Sequence, residues 1–135
     1  MFEFEIPGEI VGKGRPRMNT YTGKAYTPTK TKTYEYSVRQ WFVLKYPRFE
    51  ILQNRVKVTI KAYFDIPKST SKKNRAKMLA GEISPTKKPD VDNIVKIILD
   101  ALNKFAFKDD TQVVELIVEK VYSEESKVYV KVEEF

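Results

Sequence analysis

The amino-acid sequence predicts a single two-layer α+β domain, in which helices cover one face of a mixed β-sheet of about four strands. The length of 135 residues suits one domain. A hydrophobic content of 41% provides enough apolar material for one core. Segments with a two-residue hydrophobic period alternate along the chain with segments of helical period. The predicted order is strand, helix, strand, short helix, helix, strand, strand, and the spatial order of the strands is left open.

The first half of the chain is predicted to contain two strands and one helix. Apolar and acidic residues alternate over 2–6, which predicts a half-buried strand, and a loop rich in glycine and proline follows over 8–28. Helical spacing predicts a helix over 29–45, stopped by Pro47. The clearest alternation, over 56–64, predicts a second strand. The expected inward positions of the helix are Tyr34, Val38, Trp41 and Phe42.

The second half begins with a polar, basic segment, 67–89, expected to be a mobile flap with a short helix between Ser71 and Gly81. A helix is predicted over about 91–104, where apolar residues follow the 3, 4, 7, 8 repeat. Two final strands are predicted to form a hairpin across 123–127. The expected inward residues are Ile94, Ile97, Ile98, Ala101, Leu102 and Phe105 on the helix, and Val114, Leu116, Val118, Tyr122, Val128, Val130 and Val132 on the strands.

Composition excludes several kinds of chemistry. The chain contains no cysteine and no histidine, so it has no disulfide, zinc cluster, thiol nucleophile or imidazole base. Its 25 Lys and Arg outnumber its 18 Asp and Glu, and the net charge of +7 favours a polyanionic partner. No apolar run reaches the roughly 18 residues of a membrane span, and the N-terminus lacks a signal pattern, so we expect a cytoplasmic location without membrane contact.

Two pairs of acids flank the second long helix. Asp90 and Asp92 stand at its start, and Asp109 and Asp110 precede the next strand. Carboxylate oxygens are the ligands that Mg²⁺ prefers, but aspartates at these places also act as helix caps or turn residues. A helix of about 14 residues is ~21 Å long, so the two pairs meet only if the following strand returns alongside the helix or the helix ends early. The sequence leaves this geometry open.

Lys96 and Asp100 lie on the polar side of the same helix. Lys96 follows Asp92 by one turn, so it could form an i, i+4 ion pair or stabilise charge on a phosphate. Asp100 is expected to be either structural or a support for the metal ligands. Hydrolysis of a phosphodiester by a water activated at a carboxylate-bound cation needs no histidine or cysteine.

Basic residues cluster in two segments outside the helices. Lys13, Arg15 and Arg17 lie in the glycine-containing loop, where Arg can bind phosphate through two hydrogen bonds. The flap contributes further candidates for DNA binding: Lys72, Lys73, Arg75, Lys87 and Lys88. Both segments could instead be solvated charge, but the flap directly precedes Asp90, and we predict that it guides DNA toward the acids.

The spacing of these residues resembles the signature of the RusA-type Holliday junction resolvases. The matching residues are Asp90, Asp92-Asn93, Lys96, Asp100-Ala101-Leu102 and Asp109-Asp110-Thr111-Gln112-Val113. The resemblance implies that Asp90, Asp92 and Asp110 bind Mg²⁺, for which Mn²⁺ is a plausible substitute, and that Lys96 is catalytic. Asn93, Asp100 and Asp109 are expected beside these groups. It also implies a homodimer that nicks two strands of a four-way DNA junction, without a small-molecule cofactor.

Two other functions fit the same residues. In a non-catalytic nucleic-acid-binding module, the acids would cap helices and turns, and the cations would do all the binding. A nuclease for flaps or single strands would use the same acids on a different substrate.

Overall fold

A computed structural model describes residues 1–135 and contains a four-stranded mixed sheet with three helices, which confirms the predicted α+β class. The long strands are β1 (Phe2–Pro7), β4 (Val56–Asp65), β5 (Val113–Ser123) and β6 (Lys127–Glu134). The helices are α1 (Thr29–Lys45), α2 (Lys72–Leu79) and α3 (Val91–Leu102). A separate two-stranded ribbon joins β2 (Arg17–Met18) to β3 (Ala25–Tyr26).

The strand order in the sheet is β1, β6, β4, β5. β6 pairs antiparallel with both β1 and β4, whereas β5 pairs parallel with β4. The predicted hairpin across 123–127 is therefore wrong, because β4 lies between β5 and β6. Stepping over one strand requires about 9.6 Å, and the four steps from Ser123 to Lys127 reach roughly 13 Å. A short connection therefore does not require its two strands to be neighbours.

The core lies between the sheet and the helices α1 and α3. Alternate residues of the central strand β4 are fully buried, because its apolar face is covered by these helices. One continuous core cluster contains 22 of the buried apolar side chains. The predicted inward residues of α3 from Ile94 to Leu102 are buried as expected, and Phe105 packs partly buried against the cluster.

Some apolar residues expected to face inward are exposed. Val114 and Leu116 are 58% and 43% exposed, because β5 is an edge strand that lies largely outside the cover of the two helices. Trp41 on α1 is 41% exposed, and α2 has no buried residue. Hydrophobic alternation predicts that a segment is a strand, but it does not predict whether that strand lies at the centre or the edge of a sheet.

The loop 8–28 contains the β2–β3 ribbon, which was not predicted because each strand has only two residues. Its first part packs closely against the start of α3. A β-carbon added at Gly12 would lie 2.7 Å from Cβ of Pro89, so a side chain at residue 12 would displace this contact. None of the helices combines the length and the apolarity needed to cross a bilayer.

Candidate active site

Asp90 and Asp92 stand at the first turn of α3. Asp90 occupies the N-cap position, but its side chain makes no cap hydrogen bond; its Oδ1 instead accepts a hydrogen bond of 2.6 Å from Nδ2 of Asn93. The pKa of Asp90 lies below its usual value, mainly because the carboxyl group of Asp92 hydrogen-bonds to it. The hydrogen bond from Asn93 lowers this pKa further. The side chain of Asp90 is thus not occupied by helix capping.

Asp110 is held beside the other end of α3. Its backbone N–H donates to Oδ1 of Asn103, the residue that follows the helix, at 3.0 Å. Partial desolvation raises the pKa of Asp110, and the negative charges of Asp109 and Asp100 raise it further. The second acid pair therefore lies close to Asp100, two turns along the helix from Asp92.

The turn that carries Asp109 and Asp110 is fixed to the neighbouring loop. The backbone N–H of Asp109 donates to Oε1 of Gln112 at 2.8 Å. Nε2 of Gln112 in turn donates to the backbone oxygens of Leu52 and Asn54, at 3.1 and 2.7 Å. The glutamine of the Asp-Asp-x-Gln pattern thus anchors the turn, a role that the sequence pattern alone did not reveal.

The chain returns along α3 after this turn. Asp110 lies near Asn103 at the end of the helix, whereas Lys120, farther along β5, lies close enough to Asp90 to lower its pKa. β5 therefore runs back from the end of α3 toward its start. This is the antiparallel return that the sequence analysis left open.

A groove of about 630 Å³ lies between α3 and β5. We refer to it as the acidic groove; its polar lining residues are Asp92, Lys96, Asp100 and Asp110. Lys96 forms no ion pair with Asp92, so the i, i+4 pair considered from the sequence is absent. Valine and leucine side chains form the rest of the lining. An ammonium group without an ion-pair partner and three carboxylates thus face one cleft.

A second groove, of about 1270 Å³, lies on the other side of the first turn of α3. Asp90 and Asn93 line it together with cations from four parts of the chain. We refer to it as the basic groove; its cations are Lys13, Arg15, Arg17, Lys30, Lys87, Lys88 and Lys120. The two grooves meet at the first turn of α3, where Asp92 lines the acidic groove and Asp90 lines the basic groove.

The structure separates the predicted DNA-binding residues into two sets. The first set lines the basic groove and comprises Lys13, Arg15, Arg17, Lys87 and Lys88. Lys30 and Lys120 also line this groove, although the sequence did not indicate them. Lys120 donates a hydrogen bond to the backbone oxygen of Lys87. Lys30 and Lys120 were missed because they lie within a predicted helix and a predicted strand, outside the two basic segments. Lys72, Lys73 and Arg75 lie on α2 and do not line the basic groove; Arg75 pairs with Glu124 at 3.5 Å.

The donor chemistry of the acidic residues fits a hard divalent cation. None of Asp90, Asp92, Asp109 and Asp110 forms an ion pair with a lysine or arginine, and the mutual repulsion of these carboxylates would be relieved by a bound cation. No three carboxylates stand close enough to form a metal-binding group. Joint coordination by Asp90, Asp92 and Asp110 therefore remains a prediction.

A basic groove that meets a cluster of carboxylates is typical of enzymes that cleave nucleic acids. Comparison with known proteins specifies this class. The model of the family described as "Endodeoxyribonuclease RusA" matches residues 7–133, nearly the whole chain, and the protein belongs to this family. Membership implies endodeoxyribonuclease activity, and the family acts on branched DNA junctions.

A similar protein is found in Bacillus subtilis (strain 168), under the name "Uncharacterized protein YqaN". It is 43% identical over 137 residues, which cover 98% of this chain and 95% of the relative. The two chains are thus similar over nearly their whole lengths.

Proposed function

We propose that this protein is a magnesium-dependent endodeoxyribonuclease of the cytoplasm that resolves four-way DNA junctions by paired nicking, in recombination and repair. The observation that carries the proposal is the acidic groove. Asp92 and Lys96 lie on α3 and Asp110 lies in the turn before β5, yet all three line one cleft, and the basic groove adjoins it. Mn²⁺ is a plausible substitute for Mg²⁺ in this chemistry.

Asp90, Asp92 and Asp110 would hold the divalent cation, and Asn93 would orient Asp90 through the hydrogen bond between their side chains. When bound, such a cation supplies Lewis acidity and activates water for attack on a phosphodiester. During hydrolysis, the water oxygen gives up a proton and bonds to phosphorus as the bond to the leaving sugar oxygen breaks, and the leaving oxygen takes up a proton. The ammonium group of Lys96 faces the same groove and would stabilise the negative charge that develops on the phosphoryl and leaving oxygens.

The cations of the basic groove that form no ion pair would hold the phosphate backbone of the strand to be cut. Arg15 and Arg17 supply planar guanidinium groups that bind phosphate through paired hydrogen bonds. Lys87 and Lys88 directly precede Pro89 and Asp90, so a phosphate bound to them lies next to the acids. We assign the lysines of α2 to the more distant arms of a branched substrate.

A homodimer is part of the proposal, because two opposed strands of a twofold junction are best cut by a twofold protein. β5 has one unpaired edge, and two of its apolar residues outside the acidic groove are exposed: Val114 and Ile117. An apolar strand edge of this kind is suited to pairing with a second copy of the chain. Sedimentation equilibrium would measure the oligomeric state.

The experiment that tests the proposed function compares a four-way junction, a flap and a linear duplex in Mg²⁺. We expect paired nicks in the junction and little cleavage of the duplex. Preferential cleavage of the flap would favour a flap nuclease, and binding to the junction without any cleavage would favour a non-catalytic module.

The matched variants are Asp90→Asn and Asp65→Asn. Both residues are exposed aspartates, but Asp65 ends β4 and lines neither groove. Loss of a residue that only supports a metal ligand typically costs about 10-fold to 100-fold, so Asp90→Asn should lower the cleavage rate by more than roughly 100-fold. Asp65→Asn should cleave like the wild type. Equal cleavage by both variants, with binding unchanged, would contradict a metal-binding role for Asp90.

A further inference from the structure

Lys13 lies in the basic groove, but its charge is already engaged within the protein. Its Nζ lies 3.1 Å from Oε1 of Glu35 on α1 and 3.0 Å from Oδ2 of Asp100 on α3. Only 16% of the Lys13 side chain and 12% of the Glu35 side chain are exposed. An ammonium group placed between two carboxylates has little attraction left for a phosphate, unlike the lysines of this groove that form no ion pair.

The backbone of Lys13 makes a second contact with α3. Its N–H donates to the backbone oxygen of Asn93 at 3.3 Å, in the turn that carries Asp92. Asn93 and Asp100 are seven residues apart, so they lie on the same side of the helix and about 10 Å apart along its axis. Lys13 therefore spans nearly two turns of α3, with its backbone at one acid cluster and its side chain near the other.

The residues on either side of Lys13 permit this close contact. A β-carbon at Gly12 would meet Pro89, and one at Gly14 would lie 2.7 Å from Oγ1 of Thr31. The N–H of Gly14 also donates to this hydroxyl group at 3.0 Å. The glycines thus let the loop pack between the starts of α1 and α3, and Lys13 points inward between the two helices.

Asp100 connects Lys13 to the acidic groove. It lines this groove with Asp92, Lys96 and Asp110, and its other partner is the ammonium group of Lys13. Without Lys13, the carboxylate of Asp100 would be free to turn into the groove as an unbalanced charge. Glu35 would also become a nearly buried carboxylate without its cation.

We propose that Lys13 is a positioning residue of the nuclease site, which holds Asp100 against α1 and fixes the first turn of α3, and that it does not bind DNA. This role presupposes the nuclease activity proposed above. Outer partners of metal-binding residues typically contribute about 10-fold to 100-fold to activity or metal affinity. Loss of the Lys13 charge should therefore lower the cleavage rate by that factor and leave the affinity for DNA unchanged.

The test compares Lys13→Met with Lys88→Met, the same substitution at another lysine of the basic groove that forms no ion pair. Binding to a four-way junction is measured in Ca²⁺ at several salt concentrations, and cleavage in Mg²⁺ is measured in single turnovers with saturating enzyme. Lys13→Met should cleave about 10-fold to 100-fold more slowly, with the wild-type affinity and salt dependence. Lys88→Met should bind more weakly, with a salt slope smaller by about 0.9. The Lys88→Met pattern in Lys13→Met would overturn the proposal.

A merely structural role is tested by neutralising the whole cluster, in the triple variant Lys13→Met, Glu35→Gln and Asp100→Asn. This variant has no unpaired buried charge, so it should recover the stability that Lys13→Met alone loses. Cleavage should stay low in the triple variant and should be rescued in Lys13→Arg, which can pair with both carboxylates. If cleavage returned together with stability in the triple variant, the role would be structural. If Lys13→Met does not fold, the cleavage rates of the triple variant and of Lys13→Arg still test the proposal.

The affinity for Mn²⁺, measured by electron paramagnetic resonance of the free ion, provides a readout that does not depend on cleavage. Lys13→Met should weaken Mn²⁺ binding by about 10-fold to 100-fold, and Lys88→Met should leave it unchanged. Unchanged affinity in Lys13→Met would overturn the positioning role. Absence of cleavage by the wild type on every DNA substrate would instead refute the proposed function.

Discussion

Replacement of Gly12 by alanine should disturb the protein next to Asp90. The new β-carbon would lie 2.7 Å from Cβ of Pro89, whereas carbon atoms in contact prefer about 3.5–4.0 Å. A movement of roughly 0.8 Å is therefore needed, and the proline ring cannot rotate away as a flexible side chain could. Gly12 does not have a positive φ, so the cost comes from crowding rather than from backbone strain.

Crowding of this kind costs about 1–3 kcal/mol. For a domain of this size, 2 kcal/mol lowers Tm by roughly 6–10 °C. Thermal and urea unfolding of Gly12→Ala measure this loss directly. Because Pro89 precedes Asp90, we also expect slower junction cleavage by the folded variant.

Gly14→Ala is the matched control. Its β-carbon would meet Oγ1 of Thr31 at 2.7 Å and Cγ of Pro28 at 3.0 Å, so the crowding is similar but directed at the start of α1. Both variants should have a lower free energy of unfolding than the wild type. At a similar loss of this free energy, Gly12→Ala should cleave the junction more slowly than Gly14→Ala. Wild-type stability and cleavage in Gly12→Ala would refute the close packing of this loop against Pro89.

Two further predictions concern stability. Phe42 is fully buried, and five other aromatic rings have centroids within 5.9 Å of its ring, so Phe42→Ala should lower the free energy of unfolding by about 3–5 kcal/mol in urea; a loss below about 1 kcal/mol would contradict this packing. Glu134 accepts hydrogen bonds from the backbone N–H groups of Asn54 and Gln53, each at 2.9 Å, and these bonds hold its pKa below the usual value. Because the pKa is lower in the folded state, this stabilisation is present above the unfolded-state pKa, about 4.5, and is lost as the pH falls through the folded-state pKa. Urea unfolding should therefore show a smaller drop in stability between about pH 5.5 and pH 3 for Glu134→Gln than for the wild type, and an equal drop would exclude this linkage.

Local patterns in the sequence predicted most of the elements. The helix over 29–45 has the predicted ends, and the short helix of the flap begins after Ser71 and ends before Gly81, as expected. The buried face of α3 also follows its repeat of apolar residues. These features depend on residues within one or two turns of each other, so the sequence carries them directly.

The tertiary structure decided the relations between distant segments. Hydrogen bonding placed β4 between β5 and β6, which excluded the predicted hairpin and left Val114 and Leu116 exposed on an edge strand. The return of β5 along α3 brought Asp110 and Asp92 to one groove. Neither outcome follows from local hydrophobic periodicity, because that periodicity does not identify the neighbour of a strand.

The sequence by itself determined which chemical groups the site contains. These are carboxylates and one nearby lysine, with no histidine or cysteine, in a chain that has more cationic than acidic residues. The tertiary structure decided which of the cations remain available to a phosphate. The sequence of the loop does not distinguish Lys13 from Arg15 as a candidate phosphate ligand. In the structure, only Lys13 forms ion pairs with Glu35 and Asp100, which lie 22 and 87 positions away in the chain. Ion pairing depends on distance in space, and folding alone sets that distance for residues so far apart in sequence.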